Sequence, residues 1–140
     1  MNEFTFEDIA SAQNMEQSFS VTVTQEMMRD FLKITGDSNP MHVDVGYAKQ
    51  NGFPSCLVYG LLTTSFYSTL AGVYLPGKYC LLQEVSTQFA KPVFIGDILT
   101  VSGKVAETQE TFKRIIIKAR ITNQDGKTVN RATITAGVLK

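Results

Sequence analysis

The chain has 140 residues, enough for one domain with a sizeable apolar core, and 44% of its residues are hydrophobic. Its 13 Lys plus Arg balance 13 Asp plus Glu, and no run of like charge occurs, so the composition argues against a nucleic-acid partner. The two cysteines, Cys56 and Cys80, lie far apart without a metal-binding spacing. They predict free thiols in a reducing cytoplasm, with no disulfide framework and no metal site.

The first fifty residues predict a strand and two helices and carry no export signal. Acidic side chains in the first segment, MNEFTFEDIA, are unlike a secretory leader, so we expect a cytoplasmic protein. Residues 18–24, SFSVTVT, alternate apolar and polar side chains, which is the pattern of a half-buried strand. Thr24 can cap a helix over 25–35 that Gly36 should end, and Asp44 can cap a shorter second helix.

A long uncharged stretch follows, over residues 50–77. Its apolar part, 57–75 (LVYGLLTTSFYSTLAGVYL), approaches the length of a membrane-spanning helix. However, it contains several Ser and Thr side chains, ends at Pro76-Gly77 and lacks a flanking basic cluster. This combination favours the buried central helix of a soluble fold, and we expect no membrane contact.

The remaining sequence is typical of strands. Apolar and polar side chains alternate along four segments, 83–93, 97–105, 112–122 and 127–139. NQDG at 123–126 is typical of a hairpin turn, and the apolar helix can cover one face of the resulting antiparallel sheet. The sequence therefore predicts one domain, 1–140, with an α+β hotdog fold: a curved antiparallel β-sheet wrapped around a long central α-helix. The edge strands predict a homodimer, since unpaired edges invite a second copy.

The only histidine lies in a short polar stretch, GDSNPMHVD, after the first predicted helix. Asp37 precedes His42 by five residues, and Asn39-Pro40 between them forces a turn, because the residue before proline avoids the helical conformation. The turn can bring both side chains to one point on a loop, where catalytic groups are often held. Structural roles are also open: Asp37 can satisfy turn amides, and His42 can be a hydrogen-bonded partner of the loop.

The sequence around this loop resembles a known family motif. Residues 34–62, ITGDSNPMHVDVGYAKQNGFPSCLVYGLL, are similar to the hydratase motif of the MaoC-like family of R-specific enoyl-CoA hydratases and dehydratases, which have the hotdog fold. The resemblance continues through the LPG, FAKPV and GD features within 75–105. It covers roughly residues 19–139, nearly the whole chain.

This resemblance implies a reaction and the residues that carry it. The family's catalytic aspartate and histidine fall on Asp37 and His42, and the motif's asparagine falls on Asn39. In such enzymes the pair holds one water, which adds to a trans-2-enoyl thioester to give an (R)-3-hydroxyacyl thioester, or leaves in the reverse dehydration. A carboxylate and an imidazole can supply the base and the acid that this reaction needs. The implied substrate is an acyl-CoA or acyl-carrier-protein thioester, and the sequence offers no ligand set for a cofactor.

Three residues of the long helix complete the predicted site. Gly60 offers a backbone amide at a helix N-terminus to negative charge on the thioester oxygen, although a close helix-to-sheet contact would also explain a glycine. Ser68 matches the position where the family's hydratases often carry an active-site serine. Tyr59 stands where the family usually has histidine. If that histidine only orients the loop or the ligand, activity survives the change; if the tyrosine fills the acyl entrance, substrate range or activity changes.

Other functions fit the same scaffold. A non-catalytic acyl-thioester-binding module is open, with Tyr59 marking the loss of turnover, whereas the intact Asp, Asn and His set disfavours a purely structural dimer partner. A hotdog thioesterase usually carries acidic groups on the central helix, and this helix has none. For a coenzyme A carrier, Lys78, Lys91 and Lys104 border the resembling segments and could meet its phosphates, although solvated surface lysines are the simpler explanation of each.

Overall fold

Five antiparallel strands form a single sheet in the computed structural model, which describes residues 1–140. The strands are β1 (Glu16–Thr22), β2 (Cys80–Phe89), β3 (Ile98–Gln109), β4 (Arg114–Thr122) and β5 (Thr128–Val138). Their order across the sheet is β1-β3-β4-β5-β2, so β1 and β2 form its edges. Apart from a short helix before β1, the helices longer than one turn lie between β1 and β2 along the chain, so they connect one edge of the sheet to the other.

Five α-helices occur, and the last of them continues into a π-helical segment. They are α1 (Phe6–Ser11), α2 (Gln25–Thr35), α3 (Pro40–Val43), α4 (Val45–Gln50) and α5 (Gly60–Thr69), with the π-helical segment at Leu70–Tyr74. The predicted caps are confirmed. The Thr24 hydroxyl accepts a hydrogen bond from the Met27 amide at 3.2 Å, and Gly36 ends α2 with a φ of 71°. The Asp44 carboxylate accepts from the Tyr47 amide at 3.0 Å at the start of α4.

Two short helices were not predicted from the sequence. α1 begins with a capping box. The Asp8 amide donates to the Thr5 hydroxyl at 3.2 Å, and the Thr5 amide donates to the Asp8 carboxylate at 2.8 Å. α3 is a single turn, with Asn39 as its cap and Pro40 in its first turn. Neither helix has the length over which apolar periodicity can be recognised, so only their capping residues could have indicated them.

The central helix begins at Gly60, as the sequence predicts. Residues 57–59 are not helical, because their backbone pairs with other segments. The Val58 amide donates to the Val93 carbonyl at 2.8 Å, and the Leu57 amide donates to the Met41 carbonyl at 3.1 Å. These contacts hold the chain in an extended form up to Tyr59, so the helix starts at Gly60.

The helix packs against the inner face of the sheet, where Leu70 and Tyr67 are fully buried. Its hydroxyl groups do not oppose burial, since the Thr63 and Ser65 side chains donate to carbonyls of the same helix at 2.6 Å. The Tyr67 hydroxyl donates to the Asn130 side chain on β5 at 2.7 Å. No helix is both long enough and apolar enough to span a membrane.

Alternation along the strands separates the two faces of the sheet. On β4 the alternate residues Ile115, Ile117 and Ile121 are fully buried, whereas Lys118 and Arg120 are exposed. This result confirms the period-two pattern of the sequence. The inner residues of β3, β4 and β5 join the central helix in one apolar core of 23 buried residues.

Close contact between helix and sheet depends on Gly103 of β3. A Cβ there would lie 2.8 Å from both the Leu70 and the Ile117 side chains, which are fully buried. We therefore expect Gly103→Val to lower the free energy of unfolding by about 1–3 kcal/mol, because the core cannot absorb the added atoms without shifting. Urea unfolding followed by circular dichroism measures the change.

Gly72→Ala is the matched control for this prediction. An added Cβ at Gly72 meets nothing within 4 Å, so stability should hold or rise slightly. Equal stability of the Gly103 variant and the unchanged protein would show that helix and sheet are not tightly packed at this point.

Candidate active site

A cavity of about 480 Å³ lies between the N-terminus of α5, the loop after α2 and the segment after β2. Four of the predicted site residues line it: Asp37, His42, Tyr59 and Gly60. The remaining walls are mainly apolar and include Phe31, Phe53, Leu57, Phe89, Val93 and Val129. The cavity therefore combines a few polar groups at one end with an apolar interior, the usual composition of a small-molecule site.

Asp37 occupies an exposed turn directly after the glycine that ends α2. One of its carboxylate oxygens accepts a hydrogen bond from the Asn39 amide at 3.1 Å, so the structural role considered for Asp37 is present. The other oxygen has no protein donor and can accept a hydrogen bond from a ligand or a water. The Asp37 carboxylate thus stabilises the turn with one oxygen and has the other oxygen free to bind a group in the cavity.

His42 lies in α3 and is held by the segment that precedes the central helix. Its Nδ1 is 2.8 Å from the carbonyl oxygen of Leu57. Because a carbonyl can only accept, Nδ1 carries the proton, and Nε2 of the neutral ring is left as an acceptor. The imidazole therefore has a set orientation and one nitrogen available for proton transfer.

Tyr59 connects these two groups. Its hydroxyl donates to the backbone carbonyl of Asp37 at 2.7 Å, and its ring centre lies 4.1 Å from that of His42, with Phe31 against it at 4.8 Å. Burial raises the pKa of the Tyr59 hydroxyl, and the charge of Asp37 raises it further. The side chain is therefore a neutral donor that holds the turn and supports the imidazole ring.

Gly60 is the first residue of α5, where backbone amides have no acceptor within the helix. Tyr59 makes no side-chain cap at this end, so the amide end of the helix lies open beside the cavity. A Cβ at Gly60 would lie 2.7 Å from the ring of Phe89, which shows a close contact between helix and strand. The close helix-to-sheet contact considered for this glycine is therefore present, and its role toward the thioester oxygen stays a prediction.

Two predicted site residues do not line the cavity in the single chain. Asn39 is exposed, and its side-chain oxygen accepts from the Met41 amide at 2.9 Å, so it caps α3. Ser68 is exposed on α5, two turns beyond Gly60. A site role for either residue stays a prediction. Thr63 lines the cavity in place of the predicted serine, with its hydroxyl bonded to the Gly60 carbonyl.

The three lysines considered for phosphate binding have separate surroundings. Lys91 lines the cavity. Lys78 is 3.0 Å from the Glu3 carboxylate, and that contact raises the pKa of Lys78. Lys104 lies on the solvent face of β3, away from the cavity lining. Only Lys91 is therefore near the candidate active site.

Sequence reasoning missed most of the cavity walls. Phe31, Phe53 and Val129 were assigned no site role. Their common location depends on how α2, the loop before α5 and β5 meet in space. The FAKPV feature was the one available signal, since Phe89, Lys91 and Val93 all line the cavity.

Comparison with known proteins identifies the family. The family model "MaoC like domain" matches residues 8–127. The (R)-specific enoyl-CoA hydratase of Aeromonas caviae is 34% identical over 96 residues, covering 69% of this chain and 72% of that protein. A 3-hydroxyacyl-[acyl-carrier-protein] dehydratase of Solanum lycopersicum, the mitochondrial protein FERN, is 32% identical over 110 residues, covering 79% of this chain and 62% of that protein.

Solved structures give the same result for the fold. An (R)-hydratase from A. caviae superimposes with a TM-score of 0.85 at 27% identity, covering 91% of this chain and 99% of that chain. The unliganded R-hydratase PhaJ1 from Pseudomonas aeruginosa has a TM-score of 0.89 at 24% identity, covering 97% of this chain and 86% of that chain. The five-stranded sheet around a central helix is the hotdog fold, as predicted. The chain belongs to the MaoC-like family.

Tyr59→Phe tests the connection between turn and histidine. The variant keeps the ring contacts but loses the hydrogen bond to the Asp37 carbonyl, so we expect the free energy of unfolding to fall by about 0.5–1.5 kcal/mol. Amide exchange of Asp37 and Asn39, measured by NMR, should also become faster as the turn loosens.

Tyr74→Phe is the corresponding control, since the Tyr74 hydroxyl makes no hydrogen bond to the protein and its ring stacks on Phe19. This control should leave both quantities unchanged. Unaltered exchange in the Tyr59 variant would mean that the hydroxyl does not hold the turn.

Proposed function

We propose that this MaoC-like hydro-lyase adds water to a trans-2-enoyl thioester to form an (R)-3-hydroxyacyl thioester, and catalyses the reverse dehydration. The observation that carries this proposal is that Asp37 and the only histidine of the chain line one cavity with the amide end of α5. Hydratase and dehydratase, the names that the relatives carry, are the two directions of this one reaction.

In the proposed hydration, Asp37 and His42 share the reacting water. One of them takes a proton from the water as its oxygen bonds to C3 of the substrate, and the C2–C3 double-bond electrons move toward the thioester oxygen. The group that took this proton then delivers it to C2, which restores the thioester and the unprotonated form of that group. The free carboxylate oxygen and the unprotonated Nε2 supply the two acceptors that positioning one water requires.

Negative charge on the thioester oxygen needs a donor in place before the reaction. We assign this role to the Gly60 amide, which lies at the positive end of the α5 dipole. The Phe89 ring already packs against this glycine, 2.7 Å from where a Cβ would lie, so the carbonyl would reach the amide from the cavity.

The cavity walls favour an acyl chain as the bound group, since most of them are apolar. Lys91 is the one cation among them and could contact a phosphate or an acidic group of the carrier. Relatives named for coenzyme A and for acyl carrier protein both occur, so both thioesters are proposed as substrates. The half-buried free thiols of Cys56 and Cys80 suit a reducing cytoplasm as the site of this activity.

Loss of the enoyl thioester absorbance of crotonyl-CoA, or of the crotonyl carrier-protein thioester, measures this activity. We expect turnover by the unchanged protein and a fall of about 10²- to 10⁴-fold in kcat/KM for Asp37→Asn and for His42→Gln, since each loses an acid or base. Chiral analysis of the product should give the (R) alcohol.

Asp44→Asn is the matched control on the same loop. Asp44 caps α4, outside the cavity lining, and asparagine keeps the capping oxygen, so turnover should not change. Release of free thiol without hydration would instead indicate a thioesterase. Binding of the thioester without any reaction would indicate a non-catalytic module.

A second copy of the chain is the proposed partner, through edge strand β2. This strand is ten residues long and carries Leu81 and Leu82 with 51% and 42% of their surfaces exposed. Long apolar edges invite pairing with another strand. Phe89, at the end of β2, lines the candidate active site, so a partner on this edge would lie next to the cavity.

Leu82→Lys tests this homodimer. Sedimentation of the unchanged protein should give twice the 15.5 kDa mass of one chain, and the variant should sediment as a monomer because the charge opposes pairing at the edge. Ile34→Lys, on the exposed side of α2, is the control and should leave the dimer intact. A monomeric unchanged protein would contradict the proposal.

A further inference from the structure

A cluster of basic side chains covers the solvent face of the sheet, opposite the central helix. Strand register places Lys104 of β3 opposite Lys118 of β4, and Arg120 of β4 opposite Arg131 of β5. Lys118 and Arg120 are two residues apart on one strand and so point to the same face. We call these four residues the basic cluster.

The basic cluster has no acidic partners within ion-pair distance. Elsewhere three lysines, Lys33, Lys78 and Lys113, each contact a carboxylate. Among the side chains around the cluster only Glu16 is acidic, and it lies opposite Lys104 across the strands without forming an ion pair. Like charges placed directly opposite on neighbouring strands are destabilising, and the one side-chain hydrogen bond that these four residues make within the chain is from Lys118 to Thr133.

The cluster lines a trough of about 570 Å³ on the open face of the sheet, where most of the lining residues are polar or charged. Ser86, Gln88, Ser102 and Thr133 supply hydroxyl and amide groups along it. The Lys118 ammonium already donates to the Thr133 hydroxyl at 3.0 Å, which holds it over the trough. A volume of this size matches a small molecule, and the trough has no aromatic side chain on which a nucleic-acid base could stack.

We propose that this trough binds a free oligophosphate, such as the phosphate chain of a nucleotide. Guanidinium groups bind phosphate oxygens in pairs, and lysine ammonium groups add compact positive charge. The Cα atoms of Arg120 and Arg131 lie opposite each other on neighbouring strands, about 5 Å apart, so both guanidinium groups can bind one phosphate group. The two lysines can then contact the next phosphate group of the chain.

This site is separate from the candidate active site. Successive residues of a strand point to opposite faces, so Gln88 lines the trough and Phe89 lines the cavity. The two sets of lining residues have no member in common. The trough therefore adds a second ligand site to the proposed enzyme, and its binding test does not depend on the activity.

Isothermal titration calorimetry of the full-length protein with sodium tripolyphosphate tests the proposal. We expect one binding event whose affinity falls as salt is raised, and a loss of at least tenfold in affinity for the double variant Lys118→Gln/Arg120→Gln. Lys33→Gln/Lys127→Gln removes the same charge from other surfaces and should bind like the unchanged protein. Thermal unfolding checks that both variants fold, and removal of like charges should not lower Tm in the first one.

Absence of binding, or equal affinity in the double variant, would overturn the proposal. Displacement by sulfate at the same ionic strength would also overturn it, because the cluster would then be a general anion patch. Where crotonyl-CoA is turned over, saturating tripolyphosphate should leave its KM unchanged. Competition that disappears in the double variant would instead assign the trough to the phosphates of the substrate and overturn the separate site.

Discussion

Burial of one uncharged helix is the constraint on which the rest of the structure depends. From Gly60 to Leu75 the chain carries no charged side chain, so covering this segment with a sheet gives a large hydrophobic gain. Five strands supply the cover, and Gly103 lets Leu70 approach the sheet backbone closely. Because the helix starts at the margin of the core, its free amide end lies beside α3, which holds the only histidine.

Tyr59 links the start of the central helix to Asp37 and His42. It is the last residue before the helix, and it is almost fully buried. Its position therefore follows from the position of the helix. Its hydroxyl holds the Asp37 backbone by a hydrogen bond, and its ring packs against that of His42. A histidine at this point would have a smaller reach and a titratable ring. Tyrosine supplies the same support as a neutral donor across the physiological pH range, because burial raises its pKa.

The two faces of the sheet carry different side chains, apolar on the inner face and basic on the outer face. Its inner face and the end of β2 contribute apolar walls to the cavity beside Asp37, whereas its outer face carries the basic cluster. A strand can serve both because its side chains alternate between faces. An acyl chain and a polyanion need opposite surroundings, and alternation provides both within a single layer of backbone.

The sequence by itself determined the class of fold, the two-faced strands, the caps of α2 and α4, and the turn that carries Asp37. These features depend on local periodicity and on residues such as Thr24, Gly36 and Asp44, whose conformational preferences act over a few positions. His42 was predicted on the same loop, but it lies in the single-turn helix α3. The family motif also indicated Gly60 and Tyr59.

Tertiary structure alone decided that residues 57–59 pair with other segments before the helix, that Tyr59 holds the Asp37 turn, and that Ser68 lies outside the cavity of the single chain. It also brought the basic cluster together from three strands. Each of these outcomes depends on contacts between residues far apart in the chain, such as Val58 with Val93. Local sequence preferences hold no information on such pairings, which arise only when the sheet closes over the helix.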